Sequence, residues 1–347
     1  MRTPHDIRAS LAAKRQAGQP IATRISSADL VEVDTSGLPV VVRPRMPGVQ
    51  IEAWMTENRA AIERHLLTTG AVLFRGFGVD SVERFDVNTK ILCPNLMTYT
   101  EGATPRKALK GQVYTSTEFP PEYSIALHNE LSYVTTWPMR IFFGCAVAPE
   151  WRGETPLGDM RKVYQRIAPE LREKFERLGW MLIRNYGDGF SLPWQKVFHT
   201  DDPAEVEAYC QRSRIDFEWK GDGRLRTRQV RPAVRVHPLT GESLWFNHIA
   251  FWHITSLEPT DLRDEFLRQM APDEMPYNTF YGDGSPIEPE VAEALRAATT
   301  AELRSFPWQV GDFLAVDNML VSHGRSPFRG PRRILAAMGD AYTPDSH

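Results

Sequence analysis

Apolar residues recur at helical spacing across 49–67, where the chain reads I-E-A-W-M-T-E-N-R-A-A-I-E-R-H-L-L from Ile51, and Gly70 stands where a helix stop belongs. The apolar stretch 71–77 predicts a buried strand, and 81–92 predicts a second helix. Strand signals dominate the middle of the chain: 124–134 alternate, and 139–149 are apolar and bounded by prolines. A helix over 169–179 precedes a strand over 180–186, and a helix over 204–213 precedes strands over 228–238 and 243–251. A last helix over 289–306 leads to strands over 308–318 and 332–342. Gly-Asp-Gly at 187–189, 221–223 and 282–284 reads most simply as three turns, and no GxGxxG phosphate loop occurs. Many short strands, few helices and long excursions predict an α+β fold, with a jelly-roll or β-sandwich core and flanking helices.

Composition narrows the class. The chain has 347 residues, 42% of them hydrophobic and 24% charged, so it can bury a large core and does not read as disordered. A formal charge of −3 carries no footprint for nonspecific nucleic-acid binding. Residues 1–25 read as an irregular polar arm and 26–347 as one domain, since no Pro/Gly/Ser linker divides them. Cys93, Cys145 and Cys210 have no CxxC spacing, which fits a reducing compartment better than a disulfide framework. The first residues lack a signal-peptide core, and no apolar run reaches the roughly 18 residues of a membrane helix. The expected location is therefore the cytoplasm.

Two histidines stand apart from the other seven. In L-H-N-E-L-S-Y, strand alternation would put His128 and Glu130 on one face, where a single cation could bind both. Taken alone, the motif is short and common, and a histidine hydrogen-bonded to a carboxylate on an exposed sheet face is the simpler reading. His323 follows an apolar run and precedes Gly324, and Arg333 enters the next strand, where a guanidinium could hold a carboxylate in two parallel bonds. Alone, Arg325, Arg329, Arg332 and Arg333 read as a solvated basic loop. Together, two histidines and one carboxylate match the facial triad of non-haem Fe(II) oxygenases, which leaves positions open for a chelating co-substrate and dioxygen. Catalytic zinc accepts the same ligands, but the HExxH helix of many zinc hydrolases is absent. A jelly-roll binding module with a structural triad is the non-enzymatic alternative.

From about residue 50 onward the chain resembles the TauD/TfdA family of Fe(II)/2-oxoglutarate-dependent dioxygenases, and within it the clavaminate-synthase-like and SyrP-like members. The resemblance rests on G-A-V-L-F-R-G-F (70–77), Y-T-S-T-E-F-P (114–120), H-N-E-L-S-Y (128–133), G-E-T-P-L-G-D (153–159), W-F-N (245–247) and H-G-R-S-P-F-R-G-P-R-R-I-L (323–335), in the family's order. It implies a double-stranded β-helix with iron held by His128, Glu130 and His323. It places the 2-oxoglutarate arginine on Arg333 and the co-substrate threonine on Thr155, with O₂ as the other co-substrate.

A second arginine that grips sulfonate in the taurine-oxidising members is replaced by Ala337, which disfavours a sulfonate substrate. Related halogenases lack the carboxylate, so Glu130 favours hydroxylation, desaturation, epoxidation or cyclisation. The resemblance further implies an amino-acid-like small-molecule substrate in specialised metabolism, free or tethered to a carrier protein, with a homo-oligomer allowed. The substrate pocket is expected to draw on Tyr114, Thr115, Thr117, Glu118, Asn129, Ser132, Tyr133, Asn247 and Arg325. For Tyr133 core packing is an equal alternative, for Asn247 a structural hydrogen bond, and for Arg325 a loop cap.

Overall fold

Successive residues of the long strand Trp137–Val147 face two different cores, so its sequence is apolar throughout instead of alternating. Ile141, Phe143 and Cys145 join one cluster, and Phe142 joins the other. The computed structural model describes residues 29–98, 108–116, 119–187 and 189–344; the expected arm over 1–25 lies outside them, as do Thr117 and Glu118.

This strand lies near the centre of an eight-stranded sheet. Its order is Val31–Asp34, Val40–Pro44, Ala71–Phe74, Phe313–Asp317, Trp137–Val147, Arg333–Tyr342, Val113–Thr115 and Ala108–Lys110. All neighbours pair antiparallel except Val40–Pro44 with Ala71–Phe74. A smaller sheet runs Leu303–Arg304, Leu157–Asp159, Val321–Arg325, Ile125–His128. Leu73, Phe143, Val316 and Ile334 of the large sheet share one core with Leu157 and Val321 of the small one, so the two sheets face each other as a jelly roll. The opposite face of the large sheet, through Phe74, Phe142 and Phe313, packs on the helices Ile51–Glu57, Arg59–Thr69 and Val82–Leu92.

Several boundaries differ from the hydrophobic pattern, each for a local reason. The helix expected over 49–67 is two helices, because the Asn58 side chain and its own N–H both donate to the Trp54 carbonyl, at 2.9 and 3.0 Å. Gly70 closes the second at φ +92, and a Cβ there would lie 2.3 Å from the Val321 side chain. The strand expected over 228–238 breaks at Pro232 into Leu225–Arg231 and Val234–Val236. The strand expected over 243–251 ends at Trp245, and Ile249–Trp252 is a short helix. Asn247 causes the change: its amide donates to the Ala233 carbonyl at 2.7 Å and its oxygen accepts the Ile249 N–H at 3.0 Å. Between the jelly-roll strands, the chain inserts a further sheet ordered Asp216–Trp219, Leu225–Arg231, Trp180–Tyr186, Tyr277–Tyr281.

A buried charge network underlies the end of the Phe313–Asp317 strand. Arg140 is hydrogen-bonded to Asp317 and reaches Glu63 at 2.7 Å, while His237 Nε2 lies 3.3 Å from Asp317. The N–H groups of Met319 and Leu320 donate to Asp317 at 3.0 Å each. Burial pushes the Asp317 carboxyl up, but the His237 hydrogen bond and the Arg140 charge outweigh it and hold the group below its ordinary value. Asp317 therefore binds its proton more weakly folded than unfolded. Its stabilisation is complete above about pH 4 and is lost as pH falls through the lower folded value. Arg140→Ala strands this carboxylate and should cost about 3–5 kcal/mol in chemical denaturation at pH 7. Glu63→Gln, at the more exposed end, should cost less than about 1 kcal/mol. Equal losses would show that burial of Asp317 does not set the difference.

Candidate active site

His128 ends the strand Ile125–His128, and its antiparallel partner across the sheet is His323. Directly opposed residues have Cβ atoms about 5 Å apart, and these two rings lie 4.5 Å apart between centroids. Gly324 permits the approach, because a Cβ there would sit 2.5 Å from the Ile125 carbonyl oxygen. His128 Nδ1 donates to the Ala126 carbonyl at 2.9 Å, which leaves Nε2 with its lone pair available to a metal.

Glu130 does not reach the site by strand alternation, as the pattern of 124–134 implied. The strand stops at His128, and the chain turns through Leu131 at φ +56. That left-handed conformation costs roughly 1 kcal/mol for a residue with a Cβ, and Asn318 holds the turn in place. Its side-chain oxygen accepts the Glu130 N–H at 2.8 Å; its amide donates to the carbonyls of Glu130 and Pro138 at 2.9 and 2.8 Å. Its own carbonyl accepts from the Asn129 side chain at 2.6 Å.

Glu130 Oε2 thereby comes to 3.8 Å from His323 Nε2, and one ligand atom from each of His128, Glu130 and His323 lies within 4.8 Å of the others. Two atoms each bonded to one cation at about 2.1 Å are at most about 4.2 Å apart. The donor set and its spacing fit one divalent ion after a small side-chain movement. Asn318→Ala leaves three buried groups unpaired and should cost about 1–3 kcal/mol of stability. It should also weaken Mn²⁺ binding by about 10- to 100-fold, read by titration. Unchanged metal affinity would deny Asn318 its positioning role.

His128 and His323 border an open pocket of about 380 Å³, lined also by Ser116, Phe143, Thr155, Arg325 and Arg332. Of the two adjacent arginines, Arg332 lines this pocket and Arg333 is exposed. The extra residue at the register shift beside Arg333 and Ile334 is Ala146, on the partner strand. Along the last strand alternation holds: Arg332 falls in step with Ile334, Ala336 and Met338, which face the core between the sheets, and Arg333 with Leu335 and Ala337, which face the helices. Arg332 donates to the Gly153 carbonyl at 2.8 Å and to Ser116 Oγ at 3.2 Å. Burial and the like charge of Arg325 push its pKa down to about 10. Thr155 Oγ1 accepts the Trp308 indole N–H at 3.1 Å, which leaves the hydroxyl proton to donate elsewhere.

The other expected pocket residues divide. Arg325 borders the pocket, but its guanidinium donates to the carbonyls of Phe119, Pro120 and Tyr123 at 2.6–2.8 Å, so it pins that loop. Asn129 is buried against Asn318, and Asn247 makes the structural bonds described above. Ser132 Oγ lies 2.6 Å from His248 Nδ1. Tyr114 is buried and Thr115 half-buried in the strand beside Arg333–Tyr342. Tyr133 packs in the core against Trp252 at 4.8 Å.

The hydrophobic pattern gave no sign of His248, whose ring lies 5.7 Å from that of His128. Burial, then the nearby His128, pushes its pKa well below the ordinary value, so it is neutral at pH 7. For Asn318, the Asp-Asn pair ending an apolar run was a usable turn signal. Burial pushes the Cys145 and Cys93 thiols up to about 12, which makes them poor nucleophiles.

Residues 34–338 match the model of the family described as "Taurine catabolism dioxygenase TauD, TfdA family". The chain belongs to the TauD/TfdA dioxygenase family. It is 40% identical over 285 residues to the dapdiamide synthesis protein DdaC of Enterobacter agglomerans, covering 82% of this chain and 86% of that one. It is 30% identical over 323 residues to a clavaminate synthase-like protein of Arabidopsis thaliana, covering 88% and 94%. Among solved structures it superimposes on PvcB of Pseudomonas aeruginosa with a TM-score of 0.52 at 16% identity, covering 89% and 91% of the two chains. It likewise superimposes on AAD-2, solved with Mn(II) and N-oxalylglycine, at 0.52 and 12%, covering 90% and 99%. At those identities the likeness concerns the fold, and it agrees with the jelly roll described above. Among the described residues of this TauD/TfdA chain, no helix is long and apolar enough to cross a membrane.

Proposed function

We propose that this dioxygenase depends on Fe(II) and 2-oxoglutarate and hydroxylates an amino acid or amino-acid derivative in natural-product biosynthesis. One observation carries the reading: His128 and His323, grouped with Glu130, line the same pocket as Arg332 and Thr155. When bound, iron with 2-oxoglutarate and O₂ supplies the oxidising chemistry, and succinate and CO₂ are the coproducts. His128, Glu130 and His323 hold the ion and leave the remaining positions free. Arg332 receives the distal carboxylate of 2-oxoglutarate. Among the described residues it has no carboxylate within ion-pair distance, and the charge of an arriving anion offsets the cost of its burial. The Thr155 hydroxyl adds a hydrogen bond, and Phe143 keeps that side of the pocket dry.

The similarity to DdaC, named for dapdiamide synthesis, supports the biosynthetic setting. The reading is tested by screening free and carrier-loaded amino acids for substrate-dependent succinate release, with metal content measured alongside. Succinate tied to one substrate class is expected. Zinc content with oxygen-independent turnover would favour a hydrolase and overturn the proposal.

A further inference from the structure

A second cleft, of about 300 Å³, opens beside the inserted sheet. It is bordered by Arg184 with Thr227 and Gln229 from the neighbouring strand, by Tyr133, and by the apolar Val197 and Ile215. Arg184 lies over two aromatic rings, Tyr186 at 4.8 Å and Trp252 at 4.9 Å. It makes no hydrogen bond or ion pair among the described residues, unlike Arg226 and Arg231 on the adjacent strand. Those two are tied to Asp273 and to the Ser213 carbonyl. The other polar groups at the cleft are already oriented. Thr227 donates to the Tyr186 hydroxyl at 3.5 Å, and the Gln229 oxygen accepts from Arg231 at 2.9 Å, which leaves its NH₂ as the remaining donor. A stacked guanidinium with unused donors, an amide donor and apolar walls together match a carboxylate attached to an apolar group.

We propose that this cleft is a second binding site, taking an organic carboxylate that Arg184 holds by a two-pronged ion pair. Such a carboxylate has two sources: the far end of the substrate oxidised at the metal group, or a separate effector. The cleft is close enough for either. Trp252, under Arg184, lies 5.6 Å from the His248 ring, which lies 5.7 Å from His128. Tyr133 borders the cleft and stacks edge-on against His248 at 5.0 Å. About five residues of extended chain would span even that stepwise path.

Binding is independent of the oxygenase reading; only the source of the carboxylate depends on it. The protein is labelled with ¹⁵N at arginine Nε, and the resonance missing in Arg184→Gln identifies Arg184. Titration with N-acetyl-L-leucine should shift that resonance saturably, and N-acetyl-L-leucine amide should not. Arg184→Lys should retain part of the binding, and near-ultraviolet circular dichroism shows that the variants keep the fold. No saturable shift, or equal shifts with acid and amide, would overturn the proposal. If binding is confirmed, the source follows from turnover of any substrate the succinate screen finds. A KM raised about tenfold or more in Arg184→Gln, with the KM for 2-oxoglutarate unchanged, assigns the cleft to the substrate. An unchanged KM, with wild-type turnover responding to N-acetyl-L-leucine, assigns it to an effector.

Discussion

Alanine at His128 or at His323 is expected to abolish substrate-coupled succinate release while leaving the fold intact. The two imidazoles oppose each other across one pair of strands and, with Glu130, supply every ligand the chain offers to a cation at this place among the described residues. Losing a partner that merely orients a ligand costs about 10- to 100-fold in metal affinity or activity. Losing a ligand itself should exceed the upper end of that range. Glu130→Ala belongs to the same series and tests the position the local pattern placed by the wrong route. The measurement is succinate formation together with Mn²⁺ affinity for each variant, checked by thermal melting. Wild-type succinate release from either histidine variant would refute its role as a ligand.

Adjacent arginines separate the reading from sequence and the reading from structure. Arg332→Gln should raise the KM for 2-oxoglutarate by about 30-fold or more, since removing one partner of a buried ion pair costs about 2–5 kcal/mol. Arg333→Gln should change it by less than about twofold, as expected of an exposed side chain. Arg332→Lys should recover only part of the loss, because a single ammonium cannot reproduce a two-pronged bond. A larger effect at Arg333 than at Arg332 would restore the position implied by resemblance and refute the role given to Arg332.

Local sequence determined a large part of this protein. Helical periodicity over 81–92 and 169–179 marked elements that form within a residue or two of those limits, because one apolar stripe needs only one partner surface. The residue types His, Glu and His, in their order along the chain, carried the candidate chemistry. Tertiary structure decided how they meet. Alternation sees only a residue's near neighbours, whereas Glu130 is aimed by Asn318, 188 positions away along the chain. Which of two neighbouring arginines faces the pocket depends on which face of the last strand lies between the sheets: Arg332 falls in step with Ile334 and Ala336 on that face, and Arg333 with Leu335 and Ala337 on the other. His248 and Arg184 gain their surroundings from a short helix and an inserted sheet that pack together only once the chain has folded.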